Sequence, residues 1–224
     1  MNTPNGTVIL VDDDPLVSAS LSATIDRLGY KRHSFADGAS FLASIASQPP
    51  PCPACVLLDL RMPNVDGLEV QRVIESRRLN LPIIFMSAYI DTPSVVSAMK
   101  RGAIDFLPKP FTSETLGQSI EEALGRASAM EKVHAQTEMI GRRLETLTER
   151  EREVMELVVS GLTNKAVGSK FGISEKTVKV HRGRVMEKMA AGSLAELVLM
   201  AQAVGIPTAQ LSAMRSIPDD DSDA

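Results

Sequence analysis

Tryptophan is absent from the 224 residues, cysteine occurs only twice, and no apolar run is long. No segment approaches the roughly 20 continuous apolar residues that a bilayer span needs, and Met1 to Gly6 lack the basic-then-apolar pattern of a secretion signal. A cytoplasmic protein with no membrane partner is therefore expected. The two cysteines, Cys52 and Cys55, form one C-P-A-C between prolines. A redox pair or half a zinc site would need more. There is no second C-x-x-C and no nearby histidine pair, and the motif precedes a strand instead of opening a helix, so a plain loop is expected. With 44% apolar and 23% charged residues, the composition is that of a globular chain, neither disordered nor membrane-bound. The length suits two small domains, each with its own core.

From Thr7 the runs T-V-I-L-V, C-V-L-L and P-I-I-F-M-S are apolar on both faces, as buried parallel strands are. Helical stripes lie between them: Val17, Leu21, Ile25 and Leu28 on one, Leu68, Val73 and Ile74 on another. The weaker runs K-R-H-S-F-A near Lys31 and I-D-F-L at Ile104 complete five strands alternating with five helices. Such an alternation predicts an α/β domain with a doubly wound parallel sheet. From Thr112 a helix continues through an alanine-rich, charged stretch to Leu144. At Leu147 the texture changes: Thr148 and Glu151 form a capping box ahead of Val154, Met155, Leu157 and Val158. Short helices follow, so this half is all α. After Gly205 the chain ends in D-D-D-S-D-A, read as a disordered acidic tail. The expected divisions are 1–124, a helical linker 125–146, a second domain 147–204 and the tail 205–224.

Ligands of doubly wound sheets bind beyond the carboxyl ends of the strands. Those ends deliver Asp12 and Asp13, then Asp59, then Ser87, then Lys109. Carboxylates packed together repel, so the cluster calls for a divalent cation, and all-oxygen ligands favour Mg2+ over zinc. A lysine and a hydroxyl beside it can grip a phosphoryl group, and Asp59 is then free to act as the nucleophile. Asp14 reads as the cap of the first helix, and Asp66-Gly67 as turn chemistry opening another.

V-D-D-D, L-L-D-L-R-M-P-N-V-D-G-L-E, M-S-A and D-F-L-P-K-P-F resemble the receiver domain of two-component response regulators, whose fold is flavodoxin-like. The resemblance implies that Asp59 accepts phosphate from a sensor histidine kinase. It also implies that Asp12, Asp13, Asp59 and the main-chain carbonyl of Arg61 hold Mg2+, that Lys109 pairs with the phosphoryl group, and that Ser87 and Phe106 form the switch. Phe106 as ordinary core packing stays open beside that role.

In the helix after Ser174 the inward stripe is Val178, Val185 and Met189, which leaves Lys176, Val180, Gly183, Arg184 and Glu187 outward, with Lys179 at the edge. From Lys165 to Lys188 there are seven basic and two acidic residues in a chain of net charge −4. A helix, a G-I-S turn and a second basic helix predict a helix-turn-helix whose second helix enters the major groove. His181 lies nearer the core stripe, and Arg182 could pair with an acid of the preceding helix, such as Glu151 or Glu153, though the sequence assigns it no partner. L-T-E-R-E-R-E-V-M, G-L-T-N-K, G-I-S-E-K-T-V-K-V-H-R and V-M-E-K-M resemble the LuxR-type output domain of the FixJ/NarL regulators, most closely the FixJ branch. By that likeness Lys179 and Val180 lie at base edges of double-stranded DNA. Thr163, Asn164, Lys165, Thr177, Arg184 and Lys188 contact phosphates, and Lys176 belongs to the same DNA-binding set. Gly183 stands where some relatives have a longer polar residue.

The expected protein is a phosphorylation-switched transcriptional regulator that turns over no external substrate and loses its own phosphate slowly. It would dimerise when phosphorylated and bind a palindromic promoter, with RNA polymerase as a further partner. The helix from Ser193 to Val204 could supply a dimer contact or core. Two other classes stand beside this one. A dehalogenase-type phosphatase would carry an acid two residues after the nucleophile, where this chain has Arg61, and a protein-docking module would not need the basic face.

Overall fold

The structure is a computed structural model and describes residues 6–48, 50–89 and 91–208. The chain forms two compact units, Met1–Lys132 and Val133–Ala224. No described helix is long and apolar enough to cross a membrane.

The first unit runs β1 (Thr7–Val11), α1 (Pro15–Arg27), β2 (Lys31–Phe35), α2 (Gly38–Ser47), β3 (Ala54–Asp59), α3 (Gly67–Ser76), β4 (Ile83–Ser87), α4 (Thr92–Lys100), β5 (Asp105–Pro108) and the start of α5 (Ser113–Glu145). All five strands are parallel, in the order β2-β1-β3-β4-β5. Every residue of β1, β3 and β4 is buried, because these strands lie inside the sheet with helices on both faces. The edge strands β2 and β5 are partly exposed, which is why their sequences are less apolar. Alternation divides the core. Ile9, Val11, Val56, Leu58 and Phe85 meet Phe41, Val70, Ile74 and Ala98 on one face, while Val8, Leu10, Leu57, Ile84 and Met86 meet Leu21, Ile25, Leu116 and Ile120 on the other.

Asp14, Asp37, Asp66 and Asp91 each accept a backbone N–H at the start of α1, α2, α3 and α4. These short caps satisfy donors that a helix start leaves open. The expected stripe of α3 needs correction, since its buried centre is Val70, Gln71 and Ile74, with Leu68 half-buried at the margin. Gly67 opens this helix. A Cβ there would lie 2.5 Å from the carbonyl oxygen of Asp59, so α3 starts in direct backbone contact with the end of β3.

The second unit holds the end of α5 and then α6 (Glu149–Val159), α7 (Asn164–Phe171), α8 (Glu175–Met189) and α9 (Leu194–Ala203). The expected capping box is present at α6, with Thr148 and Glu151 exchanging hydrogen bonds. Gly172, at φ +66°, ends α7, and Ile173-Ser174 turns directly into α8. Ile140 and Leu144, at the end of α5, are buried with Met155, Val185, Met189, Leu197 and Ala201. Of α9, Leu197 and Ala201 are core and Val198 is half-buried, while Leu194 and Leu199 are exposed. Residues 205–208 differ from the expected tail: Ile206 packs on this core, and Thr208 is buried and receives a hydrogen bond from Gln202. The aspartates of D-D-D-S-D-A lie outside the described residues.

Candidate functional site

Parallel pairing in register brings the ends of β1, β3, β4 and β5 to one edge of the sheet. Asp59, the last residue of β3, is buried. One of its carboxylate oxygens accepts the N–H of Arg61 at 2.8 Å and the other accepts Lys109 Nζ at 2.6 Å. The same Nζ donates to Asp12 at 2.7 Å, and the second oxygen of Asp12 accepts the N–H of Asp14 at 2.9 Å. Lys109 is fixed in turn, because its N–H donates to the carbonyl of Ser87 at 2.8 Å. One ammonium therefore bridges two buried carboxylates. Asp13, next to Asp12, is exposed.

Burial raises the Asp59 carboxyl above its ordinary range, Lys109 and the Arg61 N–H oppose that rise, and the negative charge of Asp12 adds to it. For Lys109, burial works against the charge, but the hydrogen bonds to Asp12 and Asp59 outweigh it and hold the ammonium above its usual value. Among the described residues no three acidic, histidine or cysteine side chains are gathered around a point that could hold a metal. The donor chemistry still fits a hard divalent cation. Two buried carboxylates and the exposed Asp13 leave an excess of negative oxygen over the single Lys109 charge.

Ser87 ends β4 fully inside the protein, with its hydroxyl turned to the next loop. It donates to the carbonyl of Tyr89 at 2.7 Å and accepts the Tyr89 N–H at 3.1 Å. Phe106 is half-buried against the core face that includes Phe85 and Ala98. Sequence reasoning missed the side chain of Arg61, which reaches Asp91 at 3.0 Å. No local spacing could signal a contact across thirty residues.

In the second unit Lys176, Lys179, Gly183, Arg184 and Glu187 are exposed on α8 with Val180, which is 50% exposed. Lys165 is exposed on α7, and Thr163 caps that helix by accepting the N–H of Ala166. The Thr177 hydroxyl meets that of Ser174, the cap of α8, at 2.8 Å. Three of these side chains are engaged within the fold. Arg182 pairs with neither Glu151 nor Glu153; its guanidinium donates to Asn164 at 3.2 Å, which also engages the side chain of Asn164. Glu153 is held by Arg150 at 2.9 Å, and Glu151 by Lys188 at 2.6 Å. Lys188 is thus ion-paired to a buried carboxylate while about a third of its side chain, 34%, stays exposed. His181 is half-buried, as its place near the core stripe implies.

Cys55 is buried within β3, where burial pushes its thiol up to about 12, while Cys52 is exposed.

A family described as the response regulator receiver domain matches residues 8–121, and one described as bacterial regulatory proteins, luxR family, matches residues 145–201. The transcriptional regulatory protein FixJ of Bradyrhizobium diazoefficiens is 38% identical over 204 residues, covering 91% of this chain and 98% of that protein. Among solved structures, the response regulator StyR superposes with a TM-score of 0.74 at 36% identity, over 88% of this chain and 98% of that one. Full-length FixJ from B. japonicum does so at 0.54 and 37%, over 91% and 99%.

Proposed function

The chain belongs to the response regulators that join a receiver domain to a LuxR-type DNA-binding domain, as FixJ does, and on that premise we propose that Asp59 is the phosphoacceptor that switches it. Its relatives are transcriptional regulators, not enzymes acting on external substrates, and the two domains imply a cognate kinase and DNA as partners.

The observation that carries the proposal is Lys109 Nζ lying 2.6 Å from Asp59 and 2.7 Å from Asp12 at the carboxyl edge of the sheet. In the transfer, an Asp59 carboxylate oxygen forms a bond to phosphorus as the bond from phosphorus to the kinase's phosphohistidine nitrogen breaks. The imidazole leaves with the electron pair. Lys109, already poised at that carboxylate, pairs with the incoming phosphoryl oxygens. Receiver domains generally depend on Mg2+; here Asp12, Asp13, Asp59 and the carbonyl of Arg61 would hold the ion, which supplies charge neutralisation for the phosphoryl group. To hydrogen-bond that group, the Ser87 hydroxyl must leave both of its contacts with Tyr89. Phe106, on the neighbouring strand β5, repacks with it.

The output is DNA binding through α8. Lys179 and Val180 face base edges, with Val180 suited to the methyl group of thymine, while Thr163, Lys165, Lys176, Thr177 and Arg184 meet phosphates. Asn164 and Lys188 reach phosphate only after leaving Arg182 and Glu151. A single such module binds weakly at cellular salt, so phosphorylation acts by favouring a homodimer on a palindromic promoter, where RNA polymerase is a further partner. Inverting a mostly inactive population takes about 5 kcal/mol, shared between receiver repacking and the dimer's DNA contacts.

The test supplies the purified chain with Mg2+ and acetyl phosphate. An acid-stable, base-labile label on the wild type that is lost in Asp59→Asn is the expected result. An equal label on the variant overturns the assignment.

A further inference from the structure

Arg61 does more than lend its backbone to Asp59. Its guanidinium crosses to Asp91 at 3.0 Å and stands 5.6 Å from the centre of the Tyr89 ring. Tyr89 and Asp91 belong to the segment between Ser87, at the end of β4, and α4. The Ser87 hydroxyl accepts the N–H of Tyr89 and donates to its carbonyl, so it holds the backbone of that residue at both ends. Asp91 uses one carboxylate oxygen to cap α4, accepting the Ser94 N–H at 2.9 Å, and the other to accept Arg61. One cation, two residues from the phosphoacceptor, thus ties down the residues just beyond Ser87.

We propose that the Arg61 side chain is a resting-state clamp. By holding Tyr89 and Asp91 it keeps Ser87 turned away from Asp59, and so sets how much of the unphosphorylated protein adopts the switched form. The inference rests on Asp59 as phosphoacceptor and Ser87 as the moving hydroxyl. Ser87 cannot serve a group on Asp59 and the Tyr89 peptide together. That peptide is released only if the ring and the cap flanking it are also free to shift. An arginine suits the task because its planar, preorganised guanidinium can lie against a ring while its edge hydrogen-bonds a carboxylate. The pair is partly solvated, with side chains 60% and 36% exposed, so its hold amounts to about a two- to fivefold bias in the equilibrium. A hold of that size is weak enough for phosphorylation to overcome.

Asp91→Asn separates the clamp from the cap, because asparagine caps a helix as well as aspartate but brings no negative charge. The full chain is titrated onto a promoter fragment with and without acetyl phosphate and Mg2+, and phosphate occupancy is followed by mass spectrometry. The clamp predicts donor-free DNA affinity about two- to fivefold higher in Asp91→Asn, unchanged affinity once phosphorylated, and no further gain in the double variant with Arg61→Ala. Equal donor-free affinity in variant and wild type, with the wild type responding normally to donor, overturns the clamp. A parallel loss of phosphorylated-state affinity and melting temperature also overturns it, since that marks a purely structural contact. A wild type that takes up no phosphate fails at the earlier step, the assignment of Asp59.

Discussion

Lys188 Nζ lies 2.6 Å from the carboxylate of Glu151, whose side chain is 3% exposed, and 3.0 Å from the carbonyl of Thr146. The end of α8 is thereby pinned to the turn that opens α6. Glu151 is buried but the Lys188 side chain is 34% exposed, and Glu151 keeps the Thr148 N–H, so Lys188→Met is expected to lower stability by about 1 to 2 kcal/mol in urea unfolding. Because Lys188 leaves Glu151 to meet a phosphate in the DNA complex, the salt slope of binding should also flatten in this variant, by about one unit, and an unchanged slope would keep the lysine within the fold.

Glu151 also carries a pH signature. The Lys188 hydrogen bond, followed by the Thr148 N–H, holds its carboxyl at about 2, against 4.5 ordinarily. A carboxyl depressed by folding contributes stability that is complete above 4.5 and is lost as pH falls towards 2. Urea midpoints measured across that window should fall more steeply for wild type than for Glu151→Gln.

Asp59 has the opposite sign. Burial raises its folded-state carboxyl above 3.8, so stability declines as pH rises through the folded value and the ionised group stays a net cost at neutral pH. Asp59→Asn should melt higher than wild type at pH 7 while accepting no phosphate. A lower melting point would show that the charge pairing with Lys109 outweighs burial.

Gly67→Ala places a Cβ 2.5 Å from the Asp59 carbonyl oxygen and 3.0 Å from Phe85. Neither neighbour can swing aside, so a loss of about 1 to 3 kcal/mol is expected in thermal unfolding. Slower labelling from acetyl phosphate should accompany it, because β3 ends where α3 begins.

Lys179→Ala with Arg184→Ala removes two exposed cations of α8. Removing a lysine or arginine that pairs with a DNA phosphate flattens the dependence of log affinity on log salt by about one unit. An unchanged slope in fluorescence anisotropy titrations would place the DNA on another surface.

How much of this could be read from sequence follows from what a local pattern can encode. β1, β3 and β4 are mostly apolar because they are buried on both faces, and the polar edge of the sheet follows from where those runs stop, so Asp12, Asp59, Ser87 and Lys109 were legible together. The capping residues were legible for the same reason, each acting within its own turn. Contacts between distant elements were not. Seven cations between Lys165 and Lys188 look alike in sequence, yet the fold turns Lys188 inward to Glu151 and Arg182 towards Asn164. The buried face of α3, Val70 with Gln71 and Ile74, is not marked by apolar residues alone, since it includes a glutamine whose amide donates to the Ala98 carbonyl.

The unequal placement of the two thiols has an experimental use. Cys52 is exposed and Cys55 is sealed within β3, so a fluorophore or spin label added to the folded chain attaches at one position without mutagenesis. The rate at which the second thiol later becomes modifiable then clocks how often the central sheet opens. The chain carries its own unfolding reporter, set on the same strand that ends in Asp59.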